Sequence, residues 1–355
     1  MKLSTGLLIS LTASTLLFAQ HRESLLKELP HSAAVTGSTI PSNGDLNPYG
    51  VAFVPQDFPR GGQLEPGDVL VSNFNNTANL QGTGTAIARM RPNGSVSLFF
   101  QSKEAVGLTT ALAALHSGFV LVGNTPTTDG TSNTISAGSL IVLDRFGKQV
   151  TELKSKTLLD GPWDLAVIDR GAWAQIFVSN VLSGTVTRLT FQFFGDRINI
   201  VDERQIASGY GHRPDPAALV VGPTGLAYDC ESDTLFVAST DDNEIFAVPH
   251  ASETYRDRGR GYLAIDDPVH LHGPLGLLIT PSRHLIVANG DAVNFDPNHP
   301  SELEEYSRDG AFLASFTVDA TPGGAFGIAI SGHGDEVRFA AVDDVPNSVT
   351  AWNVK

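Results

Sequence analysis

The chain has 355 residues with 35 Gly, 20 Pro, one Cys and 41% hydrophobic residues, a balance that excludes both a disordered polymer and a polytopic membrane protein. Acidic residues exceed basic ones by 38 to 23, for a net charge of −15, which excludes nucleic acid as a partner because phosphate binding needs clustered Lys and Arg. Abundant glycine, with Val, Thr and Phe in short runs, predicts many strands joined by tight turns.

Met1-Lys2 is followed by an uncharged run from Leu3 to Ala19, which has the length of a signal peptide and falls short of the ~20 residues that span a bilayer. Residues 1–20 therefore read as an export signal and the protein as periplasmic or extracellular. Leu17 and Phe18 stand where a small residue normally precedes cleavage, so an uncleaved anchor is the alternative, and membrane contact is expected only in that case. Residues 21–32 read as a tether. The single cysteine, Cys230, cannot form an internal disulfide, so the exported fold must be held by its core. Its acidic neighbours Asp229 and Glu231 oppose thiolate formation, which makes it a bystander.

From residue 47 onward the sequence repeats itself, and a fixed period identifies a fold better than local propensity does. The first strand of each unit reads NPYGVAFV, LTTALAAL, GPWDLAVI, GPTGLAYD, GPLGLLIT or GAFGIAIS, aligning Gly50, Ala111, Asp164, Gly225, Gly276 and Gly327. A second run follows each (DVLVSN, FVLVGN, QIFVSN, TLFVAS, HLIVAN, EVRFAAVD), then a third, and RPNGS, DRFGK and SRDGA supply tight turns before a fourth. Six four-stranded antiparallel sheets bury their apolar faces only when arranged radially, which predicts an all-β, six-bladed β-propeller. The predicted blades cover 47–104, 105–158, 159–209, 221–267, 272–319 and 324–354. The last lacks an outer strand, and Ala33 to Ile40 is predicted to pair with Ser348 to Val354 and close the ring, since a bare edge would leave backbone groups unpaired. Residues 33–355 then form one domain, expected to be a monomer.

The motif Pro-x-Gly-Leu/Ile-Ala, an apolar run ending Val-Ala/Ser-Asn, and a glycine turn resemble NHL-type repeats and the wider gluconolactonase-like propeller superfamily over almost all of residues 47–354. The resemblance implies the fold; members include lactonases, lyases, esterases and binding platforms, so function must come from the site. Gluconolactonase-like enzymes hold a divalent cation with Asn and Asp at the channel mouth and a nearby Glu. The matching positions here are aromatic, aliphatic or Thr, so that metal site is not implied. Amidating lyases of the NHL type bind zinc through His from several blades, and only His270 stands at such a place.

In an up-and-down meander the start of the first strand and the end of the second lie on one face, here called upper, and most long connections fall on it. The residues preceding the aligned glycines are predicted to ring the channel mouth: Tyr49, Thr110, Trp163, Thr224, Leu275 and Phe326. They are the candidate ligand-binding set, with Tyr49, Trp163 and Phe326 offering stacking surface. A second ring, Asn73, Asn124, Asn180, Ser239 and Asn289, ends the second strands and reads as structural caps for the loops. His212, His270 and His272 are candidate ligands for a divalent metal, zinc or calcium, with Asp215, Asp291, Asp296 and His299 in neighbouring loops. The turn Asp241-Asp242-Asn243-Glu244 lacks the spacing of a calcium loop and reads as a solvated hairpin. No nucleophile elbow, zincin motif, phosphate loop or dinucleotide fingerprint occurs. The sequence thus points to an exported ligand-binding or interaction module, with no cofactor assigned beyond the candidate zinc or calcium, whose partner is a small molecule, glycan, peptide or envelope protein. The alternative is a metal-dependent hydrolase or lyase on the same face.

Overall fold

A computed structural model describes residues 24–290, 292–299, 302–321, 323–333 and 336–354. The export signal read at 1–20 lies outside them. Six four-stranded antiparallel sheets follow one another around an axis. Their innermost strands are Leu46–Phe53, Leu108–Ala114, Pro162–Asp169, Pro223–Asp229, Pro274–Ile279 and Ala325–Ser331. Ala33–Ser38 pairs antiparallel with Ser348–Val354, from Ala33 opposite Asn353 to Ser38 opposite Ser348, and supplies the outer strand of blade 6. The propeller and its closure are as the repeats predict.

The aligned glycines are explained by the packing of inner strands, backbone against backbone. A Cβ on Gly327 would lie 2.0 Å from the Tyr49 carbonyl oxygen, one on Gly276 2.4 Å from that of Phe326, and one on Gly225 2.6 Å from the Leu277 nitrogen. Side-chain hydroxyls bridge these boundaries. Ser72 Oγ donates to the Thr109 carbonyl at 2.7 Å, Ser179 Oγ to that of Thr224 at 2.7 Å, and Thr224 Oγ1 to that of Pro274 at 3.0 Å. Between the inner strands lies a channel of about 410 Å³, lined mostly by apolar residues such as Ala52, Leu112, Val167, Leu226, Leu277 and Ile330. These are the downstream ends of the strands, so the channel opens on the lower face.

The tether reading is corrected for residues 24–31. Leu25–Glu28 is a single helical turn continued by a 3₁₀ turn, Leu29–His31. Leu25, Leu26 and Leu29 are buried in a cluster shared by blades 5 and 6, with Ile286, Leu303, Phe339 and Trp352. One helical turn cannot satisfy its own first N–H groups. The fully buried carboxylate of Glu305 accepts from Leu25 N at 3.1 Å, Leu26 N at 2.9 Å and Ser24 Oγ at 2.6 Å, and pairs with His284 Nδ1 at 2.7 Å.

Candidate functional site

The predicted mouth residues converge on the axis but do not form an open mouth. Tyr49 stacks on Phe326 with ring centroids 4.4 Å apart and on Phe74 at 4.7 Å, while Trp163 meets both Tyr49 and Phe74 edge-on at 5.8 and 5.6 Å. Leu275 joins the same cluster, and Thr110 and Thr224 are buried beside it, with Thr110 Oγ1 donating to the Trp163 carbonyl and Thr224 to that of Pro274. None of the six exceeds 9% exposure. The rings fill the upper end of the channel as a plug, because aromatic faces gain more from mutual burial than from water. Among the aromatic rings only Phe74, near the end of the strand Val69–Asn75, was not foreseen as a member.

A hairpin covers the plug. Residues 213–221, expected as loop, form two short strands, Arg213–Asp215 and Leu219–Val221. Leu219 and Val220 are buried against Tyr49, Trp163 and Phe326. The acidic turn read as solvated holds the base of this hairpin: Asp242 accepts from Gly211 N at 2.9 Å, and Asp241 pairs with Arg213 Nε at 2.8 Å. Arg213 also reaches Asp215 at 2.8 Å, and Asp215 accepts from Ala217 and Ala218 N–H, both at 2.9 Å. At the tip, Gln81 Nε2 from blade 1 donates to the Ala217 carbonyl at 2.8 Å.

Beside the hairpin is a cavity of about 280 Å³ bounded by Ile135, Val181, Leu182, Pro214, Leu219 and Val220, with Ser132, His212 and Arg213 as its polar residues. His212 Nδ1 lies 3.1 Å from the Tyr210 carbonyl. Because a carbonyl only accepts, Nδ1 is the donor in this contact.

The second ring satisfies loop backbone. Asn73 Nδ2 donates to the Thr39 carbonyl, Asn124 to that of Ser139, Asn180 to that of Leu158 and Asn289 to that of His270, while Ser239 Oγ donates to Asp242. Strand register adds a sixth member missed in the sequence, Asp343 opposite Ala325. Burial, with Asp319 nearby, pushes its carboxyl up to about 6.

The three metal candidates do not come together. His270 stacks on Phe312 at 3.7 Å and pairs with Asp267 at 2.7 Å, and His212 lies just before the hairpin, against the Tyr210 carbonyl. His272 instead meets Asp296 and His299, the one group of three or more such side chains close enough to share an ion among the described residues. Asp291 lies outside those residues. Nor does the channel suit the cation that the family resemblance brings to mind: its upper end is aromatic, and the carboxylate of Asp164 takes a backbone partner instead.

Asp164 occupies a position that is Gly or Ala in the other five blades. Its Oδ2 accepts from Leu226 N of blade 4 at 2.9 Å. Burial pushes the carboxyl up to about 7, against the opposing pull of the Leu226 and Leu165 N–H groups. Below the ordinary value of 3.8 the group is protonated in folded and unfolded chains alike, and its contribution to stability is complete. As pH rises toward 7 the unfolded chain ionises first, so that contribution is lost. Asp164→Asn keeps an acceptor and removes the charge. It is expected to flatten the fall in melting temperature between pH 4 and 7 and to melt a few degrees above wild type at pH 8; identical pH profiles for the two proteins would refute the assignment.

No protein-family model and no curated protein matches the sequence. Solved structures do match. A gluconolactonase from Xanthomonas campestris is 15% identical, with 93% of this chain and 92% of that one covered and a TM-score of 0.55. Regucalcin from Agrobacterium tumefaciens, a calcium-binding protein, is 14% identical over 90% and 93%, with a TM-score of 0.54. A chain of a nidogen–laminin complex is 12% identical over 83% and 97%, with a TM-score of 0.52. At these identities the likeness is one of fold, and this chain has the gluconolactonase- and regucalcin-like six-bladed architecture.

Proposed function

We propose that this propeller is an exported small-molecule-binding module whose ligand enters the upper face beside the hairpin. The observation that carries the reading is the 280 Å³ cavity, apolar on most of its wall and edged by Arg213 and His212. Apolar walls supply affinity through buried area, and a few convergent polar groups fix orientation. A guanidinium favours planar anions; Asp241 and Asp215 hold Arg213 through Nε and Nη1, leaving Nη2 for a ligand, so the fitting class is a small alkyl or aryl carboxylate. The plug residues Tyr49, Trp163 and Phe326 form the rigid floor beneath the hairpin rather than the contact surface.

A thermal-shift screen of short-chain and aromatic carboxylates tests this, since a ligand confined to the native state raises the melting temperature by mass action. Leu182→Trp, at a partly buried wall position, should abolish the shift while leaving the unliganded melt unchanged. Arg213→Ala should weaken carboxylates more than the matching neutral amides. A screen without a shift, or a shift that survives Leu182→Trp, would reject the cavity as the site. Glycan, peptide or envelope-protein binding is the contrasting outcome, in which partners are captured but small carboxylates are not. Metal-dependent chemistry on the same face is a second reading, favoured by the convergence of His272, Asp296 and His299.

A further inference from the structure

The loops of blade 5 bring His272 to Asp296 and His299, with one ligand atom from each lying within 4.8 Å of the others. His272 is 3% exposed. Its Nδ1 is 2.6 Å from the backbone carbonyl of Asn294. That carbonyl can only accept, so Nδ1 bears the proton. Nε2 is buried and has no hydrogen-bond partner. With Nδ1 committed to that carbonyl, Nε2 is the ring nitrogen left to bind a metal.

The surroundings hold this ring in place. Asn289 Oδ1 accepts from His272 N at 3.1 Å, and Gly290 N donates to the His272 carbonyl at 3.1 Å. Asn294, which fixes Nδ1, is itself tied by Nδ2 to the carbonyls of Leu271 at 2.7 Å and Pro268 at 3.0 Å. Metal-binding imidazoles are characteristically oriented in this way through their second nitrogen. Across the site, Asp296 and His299 belong to one turn: His299 N donates to the Asp296 carbonyl at 3.1 Å, and His299 Nδ1 lies 3.1 Å from Asp296 Oδ2. Both are partly or fully exposed, so the group opens to solvent on one side and is walled by His272 on the other.

We infer that His272, Asp296 and His299 form a binding site for a borderline divalent transition metal, of which zinc is the representative. Two imidazoles and one carboxylate suit Zn²⁺, whose nitrogen ligands lie at about 2.0–2.1 Å in tetrahedral array, and are too few and too rich in nitrogen for Ca²⁺, which takes six to eight oxygens. Three protein ligands leave the fourth position for water or a ligand atom. Small shifts of the exposed Asp296–His299 turn suffice to bring the donors to bonding distance of one ion. The inference is independent of the cavity beside the hairpin.

The test is titration of the chelator-treated full chain with ZnCl₂ by calorimetry, together with visible absorption after loading with Co²⁺. Expected are one equivalent of zinc per chain, the intense visible bands of four-coordinate cobalt, and no displacement by a large excess of Ca²⁺. His272→Ala and His299→Ala should each weaken zinc at least ~10-fold; His299 is exposed, so its variant folds even if the buried substitution loosens the loop. Leu182→Trp should leave zinc binding untouched, which separates this site from the carboxylate cavity. Substoichiometric zinc, binding unchanged in His299→Ala, or displacement by calcium would each overturn the inference.

Discussion

Trp163→Ala is expected to destabilise the protein by about 3–5 kcal/mol, the range for deleting a large buried aromatic side chain and leaving a void. Trp163 is 1% exposed and touches Tyr49 and Phe74 of blade 1 edge-on from blade 3, so its loss removes a contact that crosses the axis. Collapse cannot easily fill the gap, because the inner strands that carry Tyr49 and Phe326 already meet backbone to backbone at Gly327 and Gly276. Trp163→Phe should cost much less. It keeps most of the ring volume and also removes the indole N–H, which is buried without an acceptor. Urea denaturation of the three proteins checks the ranking. A Trp163→Ala midpoint equal to wild type would mean that the upper chamber is loosely filled and that the plug described above does not exist.

Glu305→Ala is expected to cost a similar amount, about 3–5 kcal/mol, because removing one member of a buried charged network strands its partners. Four donors lose their acceptor together: Ser24 Oγ, the N–H groups of Leu25 and Leu26, and His284 Nδ1. The distinctive readout is local. Protease should cut the variant ahead of residue 33 while the six blades stay resistant, since Leu25, Leu26 and Leu29 would lose their hold on blades 5 and 6. Glu305→Gln, with one oxygen in place of two, should fall between the two. Equal protease resistance in wild type and Glu305→Ala would show that apolar contact alone secures the segment.

The architecture was legible because a propeller writes itself into the chain six times: the aligned Gly50, Gly225, Gly276 and Gly327 mark inner strands that touch backbone to backbone, and each turn glycine marks a hairpin. The convergence of Tyr49, Trp163 and Phe326 followed from that register. Their burial did not, since it depends on where residues 213–221 lie, and a stretch containing two prolines and a Leu219 with φ of 67° carries no strand periodicity. The docked segment could have been read from Leu25, Leu26 and Leu29, which fall on one side of a helical turn, but its acceptor Glu305 stands 280 residues away from Leu25. The same distance problem separated His272 from His299, whereas His270, a nearer candidate by spacing, turned to Phe312 and Asp267. Asp164 was visible as an exception among glycines, but only coordinates reveal that it reaches Leu226 across a blade boundary.

Because Ala33–Ser38 must find Ser348–Val354, the contact that completes the circle joins residues as far apart in sequence as Thr36 and Thr350, 314 positions. Such a pairing carries a large loop-closure cost before it yields any gain, which slows acquisition of the native state. A growing polypeptide, lacking the last of these residues, has five or fewer sheets in place and an unfinished perimeter. Until Ser348–Val354 is in place, Ala33–Ser38 has no antiparallel partner and the ring stays open at that seam.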